Sequence, residues 1–106
     1  MKGIEPELRT YRVGDEIPVG KGYTGKIIKR TGDWLLVAKT MKRCKHVGYE
    51  ALYVRKYAKD RHFPQGVIMP AGSEYLPSSE DFGTYGFAFQ SDNEDYARKR
   101  FNELSS

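Results

Sequence analysis

Cysteine is nearly absent from this chain: Cys44 is the only one in 106 residues. A single thiol excludes an internal disulfide framework and gives no sign of an oxidising compartment. Histidine is almost as scarce. His46 and His62 join Cys44 as the only soft metal ligands, Cys44-x-His46 is too closely spaced for the usual structural zinc patterns, and a fourth ligand would have to be a carboxylate. No metal site is expected. Long apolar runs are missing as well. The start, Met1-Lys2-Gly3-Ile4-Glu5-Pro6, lacks the apolar stretch of a signal peptide, and no run approaches membrane-spanning length. The expectation is a cytoplasmic protein with no membrane partner. Gly-x-Ser-x-Gly and His-Glu-x-x-His are also absent, and a Cys44 nucleophile paired with His46 or His62 has nothing else to motivate it. The chain is therefore expected not to be an enzyme.

What remains is a small polar chain, 39% hydrophobic and 30% charged, of a size that suits one domain over residues 1–106 with a modest core. Its net charge of +4 is unevenly spread: residues 1–20 sum to −1, residues 21–62 to +9 and residues 63–106 to −4. A +9 segment in a small domain creates a positive field that attracts a polyanion or an acidic protein face. The same cations would also serve as solvated strand-edge and loop residues that discourage aggregation.

Residues 1–10 are polar and expected to be loose. Short extended segments punctuated by glycine follow. Arg12 to Ile17 is a brief strand or entry loop stopping at Pro18. Gly25–Arg30 and Trp34–Lys39 flank the turn Thr31-Gly32-Asp33 and predict a hairpin. Met41–Gly48 is expected as a basic loop. From Tyr49 to Tyr57 the period-two pattern puts Tyr49, Ala51, Tyr53, Arg55 and Tyr57 on one face and Glu50, Leu52, Val54 and Lys56 on the other. Residues 58–84 carry Pro64, Pro70 and Pro77 and predict a long irregular loop, which in a small domain is either functional or mobile. Tyr85, Phe87 and Phe89 alternate with Gly86 and Ala88 as a strand with one aromatic face. Ser91 and Glu94 fit a capping box. Behind them Tyr96, Ala97, Phe101 and Leu104 form one helical stripe, with Glu94–Arg98 and Asp95–Lys99 as outer i,i+4 pairs. The fold class expected is α+β: an antiparallel, partly barrel-like sheet of about four to five strands with one C-terminal amphipathic helix.

Several signatures lack their context. Gly20, Gly22 and Gly25 fit G-x-G-x-x-G, and Gly20 through Lys26 fits the start of a phosphate loop. Both need a following helix whose amides hold the phosphate, whereas Ile27-Ile28 and then Gly32 follow here. Val37-Ala38-Lys39 and Asp81-Phe82-Gly83 spell fragments of a kinase, but no His-Arg-Asp loop is present and the chain is too short for two lobes. No cofactor is expected.

Basic residues interleaved with aromatics make the strongest functional pattern. Lys26, Lys29 and Arg30 precede Trp34, Lys42, Arg43 and Lys45 fill the expected loop, and Tyr53, Arg55 and Lys56 lie on the next strand. Cations for phosphates and flat rings for bases are the chemistry of non-specific single-strand binding. The commoner fate of such rings in a small sheet is the core, although Arg55 between Tyr53 and Tyr57 favours an exposed face. These residues form the candidate nucleic-acid site.

Residues 11–39, through Val13-Gly14-Asp15, Gly25-Lys26-Ile27 and Gly32-Asp33 before an apolar strand, resemble the opening strands of a Src-homology-like small barrel. Such barrels, including the KOW and Tudor types, commonly bind nucleic acid or peptides. Residues 49–104 are similar to small uncharacterised tailed-phage proteins in Tyr49, Glu50, Val54 and Arg55, then Ser79 to Gly83, Phe87, Phe89, Ala97 and Phe101. That resemblance implies a phage or mobile-element origin, a host-cell cytoplasmic location, antiparallel strands plus a helix, and no catalytic residues. The expectation is a non-enzymatic module whose basic centre contacts nucleic acid. The alternatives are a phage-encoded inhibitor docking on an acidic surface of a host defence protein, or a virion or assembly component.

Overall fold

A computed structural model of the chain describes residues 8–19, 22–41, 44–89 and 93–106, the side chains of residues 44–47 and 79 excepted. The sheet grows outward from one hairpin. Strands β1 (Glu16–Pro18), β2 (Tyr23–Thr31), β3 (Trp34–Met41) and β4 (Cys44–Tyr53) pair antiparallel in chain order. Gly32, at φ +59°, makes the left-handed step that closes the β2–β3 turn. Past Tyr53 the chain leaves this sheet. Strand β5 (Arg55–Lys56) pairs with β8 (Glu74–Tyr75), and β6 (Arg61–His62) pairs with β7 (Ile68–Met69) in a small separate hairpin. A single 3-10 turn at Ser79–Asp81 leads to β9 (Gly86–Phe89), which returns to pair with β4. Helix α1 (Glu94–Ser105) ends the chain.

The architecture is thus α+β, a five-stranded antiparallel sheet in the order β1-β2-β3-β4-β9 with one C-terminal helix among the described residues. The sheet curls without closing. At Gly25 a Cβ would stand 2.6 Å from both Val19 and Val37, so glycine is what lets the end of β1 fold over the sheet face.

Alternation splits the core between the two faces. Ile17, Ile27, Leu35, Val37, Leu52 and Val54 form one cluster, covered by Tyr11, Val19 and Leu76. Leu36, Tyr49 and Ala51 form the other beneath Ala97 and Phe101 of α1. Each fully buried aliphatic side chain contributes roughly 1.5–3 kcal/mol. A bulge in β2 sets the phase between the faces. Ile27 lies opposite Val37 and Lys29 opposite Leu36, so Ile28 and Lys29 both sit on the helix-covered face and Arg30 falls on the other.

Four local expectations change. Strand β4 starts at Cys44, inside the expected basic loop, because the chain pairs back on Met41 almost at once; Lys42 and Arg43 lie outside the described residues. The strand expected from Tyr49 to Tyr57 breaks at Val54, whose N–H donates to the Asp33 carbonyl while β5 turns to β8. The helix cap is Asn93, whose side chain accepts from the Tyr96 N–H at 3.1 Å; Ser91 lies outside the described residues. Asparagine caps as well as serine does, so residue type gave Ser91 no advantage over Asn93. Residues 9–11 are not loose. The Arg9 carbonyl accepts from the Glu74 N–H at 2.9 Å, and the Tyr11 N–H donates to the Glu74 carboxylate at 2.8 Å. Residues 1–7 are outside the described residues.

Candidate functional site

Six half-buried rings and one guanidinium fall into one line. Phe87 of β9 lies 6.1 Å from Trp34 of β3, and Trp34 meets Tyr53 of β4 edge-on at 5.1 Å. Tyr53 stands 5.8 Å from Tyr85. The Arg55 guanidinium continues the line, 4.2 Å from the Tyr85 ring and 5.0 Å from that of Tyr75. Tyr75 then stacks on Tyr57 at 4.5 Å and 19°. All seven side chains are neither fully buried nor fully exposed. The ladder therefore holds itself together and still presents ring surface to solvent.

The local reasons are visible strand by strand. Register places Trp34 opposite Tyr53 and Ala51 opposite Phe87, so these rings share the helix-covered face. Alternation carries Arg55 and Tyr57 on in the same direction after β4 ends. Tyr75 joins because β8 pairs with β5, bringing it opposite Arg55. Such aromatic pairs contribute about 0.5–1.5 kcal/mol beyond their buried area, and a partly desolvated cation over a ring about 0.5–2 kcal/mol.

Arg55 is fixed by more than rings. Its Nη2 donates to Asp81 Oδ2 at 2.6 Å, with both side chains about a quarter exposed. Asp81 also accepts from the Ser78 N–H at 2.9 Å and the Ser78 hydroxyl at 3.1 Å. These Ser78 bonds, with Arg55 behind them, hold the Asp81 carboxyl below the usual aspartate range. In this setting Asp81-Phe82-Gly83 closes a turn and anchors a cation.

The other expected site residues divide. Lys26 and Lys29 lie on the same sheet face as Trp34 and Tyr53. Lys26 is exposed, and Lys29 donates to Asn102 of α1 at 2.7 Å. Lys56 is exposed, but register sets it opposite Glu74, on the side away from Arg55 and the ladder. Arg30 lies on the opposite face, where Nη1 and Nη2 grip the two oxygens of buried Glu74 at 2.7 Å each and Nη2 reaches Asp33 at 3.3 Å. The bond to Arg30, helped by the Tyr11 N–H and opposed by desolvation, holds Glu74 below the ordinary glutamate range. Both of its forks are thus occupied within the fold. Lys42, Arg43 and the side chain of Lys45 fall outside the described residues.

Sequence reasoning set Trp34, Tyr53, Arg55 and Tyr57 in the basic-aromatic pattern, without Tyr57 among the contact residues, and missed Tyr75, Tyr85 and Phe87 as members of the same line. Tyr57 and Phe87 were legible as strand-face rings. Tyr75 carried no signal, because it sits in the stretch without periodicity and reaches Arg55 only through a pairing across 20 positions of chain. Beyond Tyr57 the β6–β7 hairpin projects with Lys59, Arg61 and His62 exposed, and with Val67 and Ile68 52% and 43% exposed.

Among the described residues no three His, Cys, Asp or Glu side chains gather to hold a metal ion, and no helix is long and apolar enough to cross a membrane. No protein-family model, curated protein or solved structure matches this chain.

Proposed function

We propose that this protein is a non-enzymatic module that binds single-stranded nucleic acid along its aromatic ladder. The observation that carries the reading is the unbroken line from Phe87 through Trp34, Tyr53, Tyr85, Arg55 and Tyr75 to Tyr57, partly open along its length. Unstacked bases lie on such rings with little sequence preference, each worth about 1–3 kcal/mol. Lys26 and Lys29, with Lys59 and with Arg61 of the projecting hairpin, supply phosphate contacts.

Trp34 is the only tryptophan and sits inside the ladder, so its fluorescence reports stacking directly. Titration with oligothymidylate and oligouridylate should quench it saturably, with an affinity that falls steeply as salt rises. Absence of quenching and of anisotropy change at low salt overturns the proposal. A second reading, docking on a host protein as a phage-encoded inhibitor, is favoured by the exposed Val67 and Ile68 at the hairpin. It would leave Trp34 fluorescence unchanged by nucleic acid.

A further inference from the structure

On the sheet face away from the ladder, the unclosed curl leaves a cleft of about 300 Å³. Its walls are apolar: Val19 at the end of β1, Leu52 of β4, and Leu76, Pro77 and Phe82 of the segment before β9. One charged group interrupts them. Glu50 projects from β4 between these side chains and is only 5% exposed.

The bonding of Glu50 is half complete. Among the described residues its carboxylate has one partner, Lys39, which reaches Oε2 at 3.3 Å. That is long for a charge-assisted bond, which runs to about 2.7–2.9 Å. Lys39 also leans over the Tyr23 ring at 4.4 Å, so its ammonium is shared. Oε1 receives no hydrogen bond from a described residue. Oε1 is not sealed off and keeps contact with solvent in the cleft, so a donor brought into the cleft can reach it. Among the described lining residues Glu50 alone is charged.

We propose that this cleft binds a small organic amine, an ammonium on an apolar body, with the ammonium donating to Glu50 Oε1 and the body against Leu52, Leu76 and Phe82. The charge selects the amine and the walls select an apolar body. The volume, at the small end for ligand pockets, limits its size.

Phenethylamine is a suitable probe, with 2-phenylethanol as its uncharged counterpart, each titrated into the full chain labelled for two-dimensional amide NMR. The amine should shift the amides of Val19, Glu50, Leu52 and Leu76 saturably, and the alcohol should bind about tenfold or more weakly. Glu50→Gln should erase the difference between the two. Should that variant fail to fold, Leu76→Trp fills the cleft while keeping Glu50, and should abolish the saturable shifts. Equal binding of alcohol and amine, shifts that never saturate, or binding unchanged in Leu76→Trp each overturn the proposal.

Discussion

On one face of the sheet a regular helix lays Ala97 and Phe101 over Leu36, Tyr49 and Ala51. On the other, short pieces of chain around Tyr11 and at residues 74–77, the two-residue β8 among them, cover Leu35, Val37 and Leu52, and what ties them down is Arg30 on Glu74. The first cover adheres mainly through apolar area, with the bond from Lys29 to Asn102 as a polar tie. The second has little apolar area to offer, Tyr11 and Leu76 mainly, and uses a two-pronged ion pair and strand-like backbone bonds instead. A small domain can therefore close one face by periodic burial and the other by a few specific polar contacts. The latter depends on the ionisation of a carboxylate.

The comparison breaks first at Phe101. Phe101→Ala should cost about 3–5 kcal/mol by urea denaturation, since the ring is fully buried and the helix touches the sheet through few other side chains. Glu74→Gln should cost somewhat less, about 2–3 kcal/mol, because Arg30 keeps some solvent contact to soften its loss of partner. The Arg30→Met, Glu74→Leu double variant should recover much of that loss. A Glu74→Gln cost below about 0.5 kcal/mol would show the second cover to be held by something else.

Acid sharpens the contrast. Glu74 is held below its ordinary range in the folded chain, so its contribution is fully present above the unfolded glutamate value and is lost as pH falls through the depressed folded value. Between about pH 7 and about pH 3 the parent should lose more stability than Glu74→Gln, and the gap between the two should narrow. Parallel curves would contradict this. The smallest effect belongs to the helix end, where Asn93→Ala should cost about 1 kcal/mol, measured as a shift in the urea midpoint.

The same contrast explains what the sequence disclosed. The helical stripe of Ala97, Phe101 and Leu104 and the β2–β3 hairpin rest on periodicity and a turn glycine, and both were legible. Tyr96, counted on the same stripe, is 50% exposed because it sits at the stripe's edge, off the contact with the sheet. Segment 58–84 stayed opaque for a physical reason. Its strands are two residues long, too short for any period to show, and Glu74 finds Arg30 from 44 positions away. For the candidate site the alternation from Tyr53 to Tyr57 was visible, whereas Tyr75 and Tyr85 arrive through long-range pairing.

The extra residue at Ile28–Lys29 gives β2 a parity. Counted from the Gly32 turn, Arg30 and Leu35 belong to one face; counted from β1, Ile27 and Gly25 belong to that face too, and the two counts agree only because one position is spent in the bulge. Removing a single residue from the bulge would restore plain alternation and keep Ile27 and Arg30 on one face, whereas removing one from the regular stretch Tyr23–Ile27 would turn the residues before it onto the opposite face. Insertions in the projecting 61–69 hairpin carry no such parity. Indels should be absorbed in that hairpin, a one-residue deletion should be tolerated at the bulge, and either should be rejected in the regular stretch of β2.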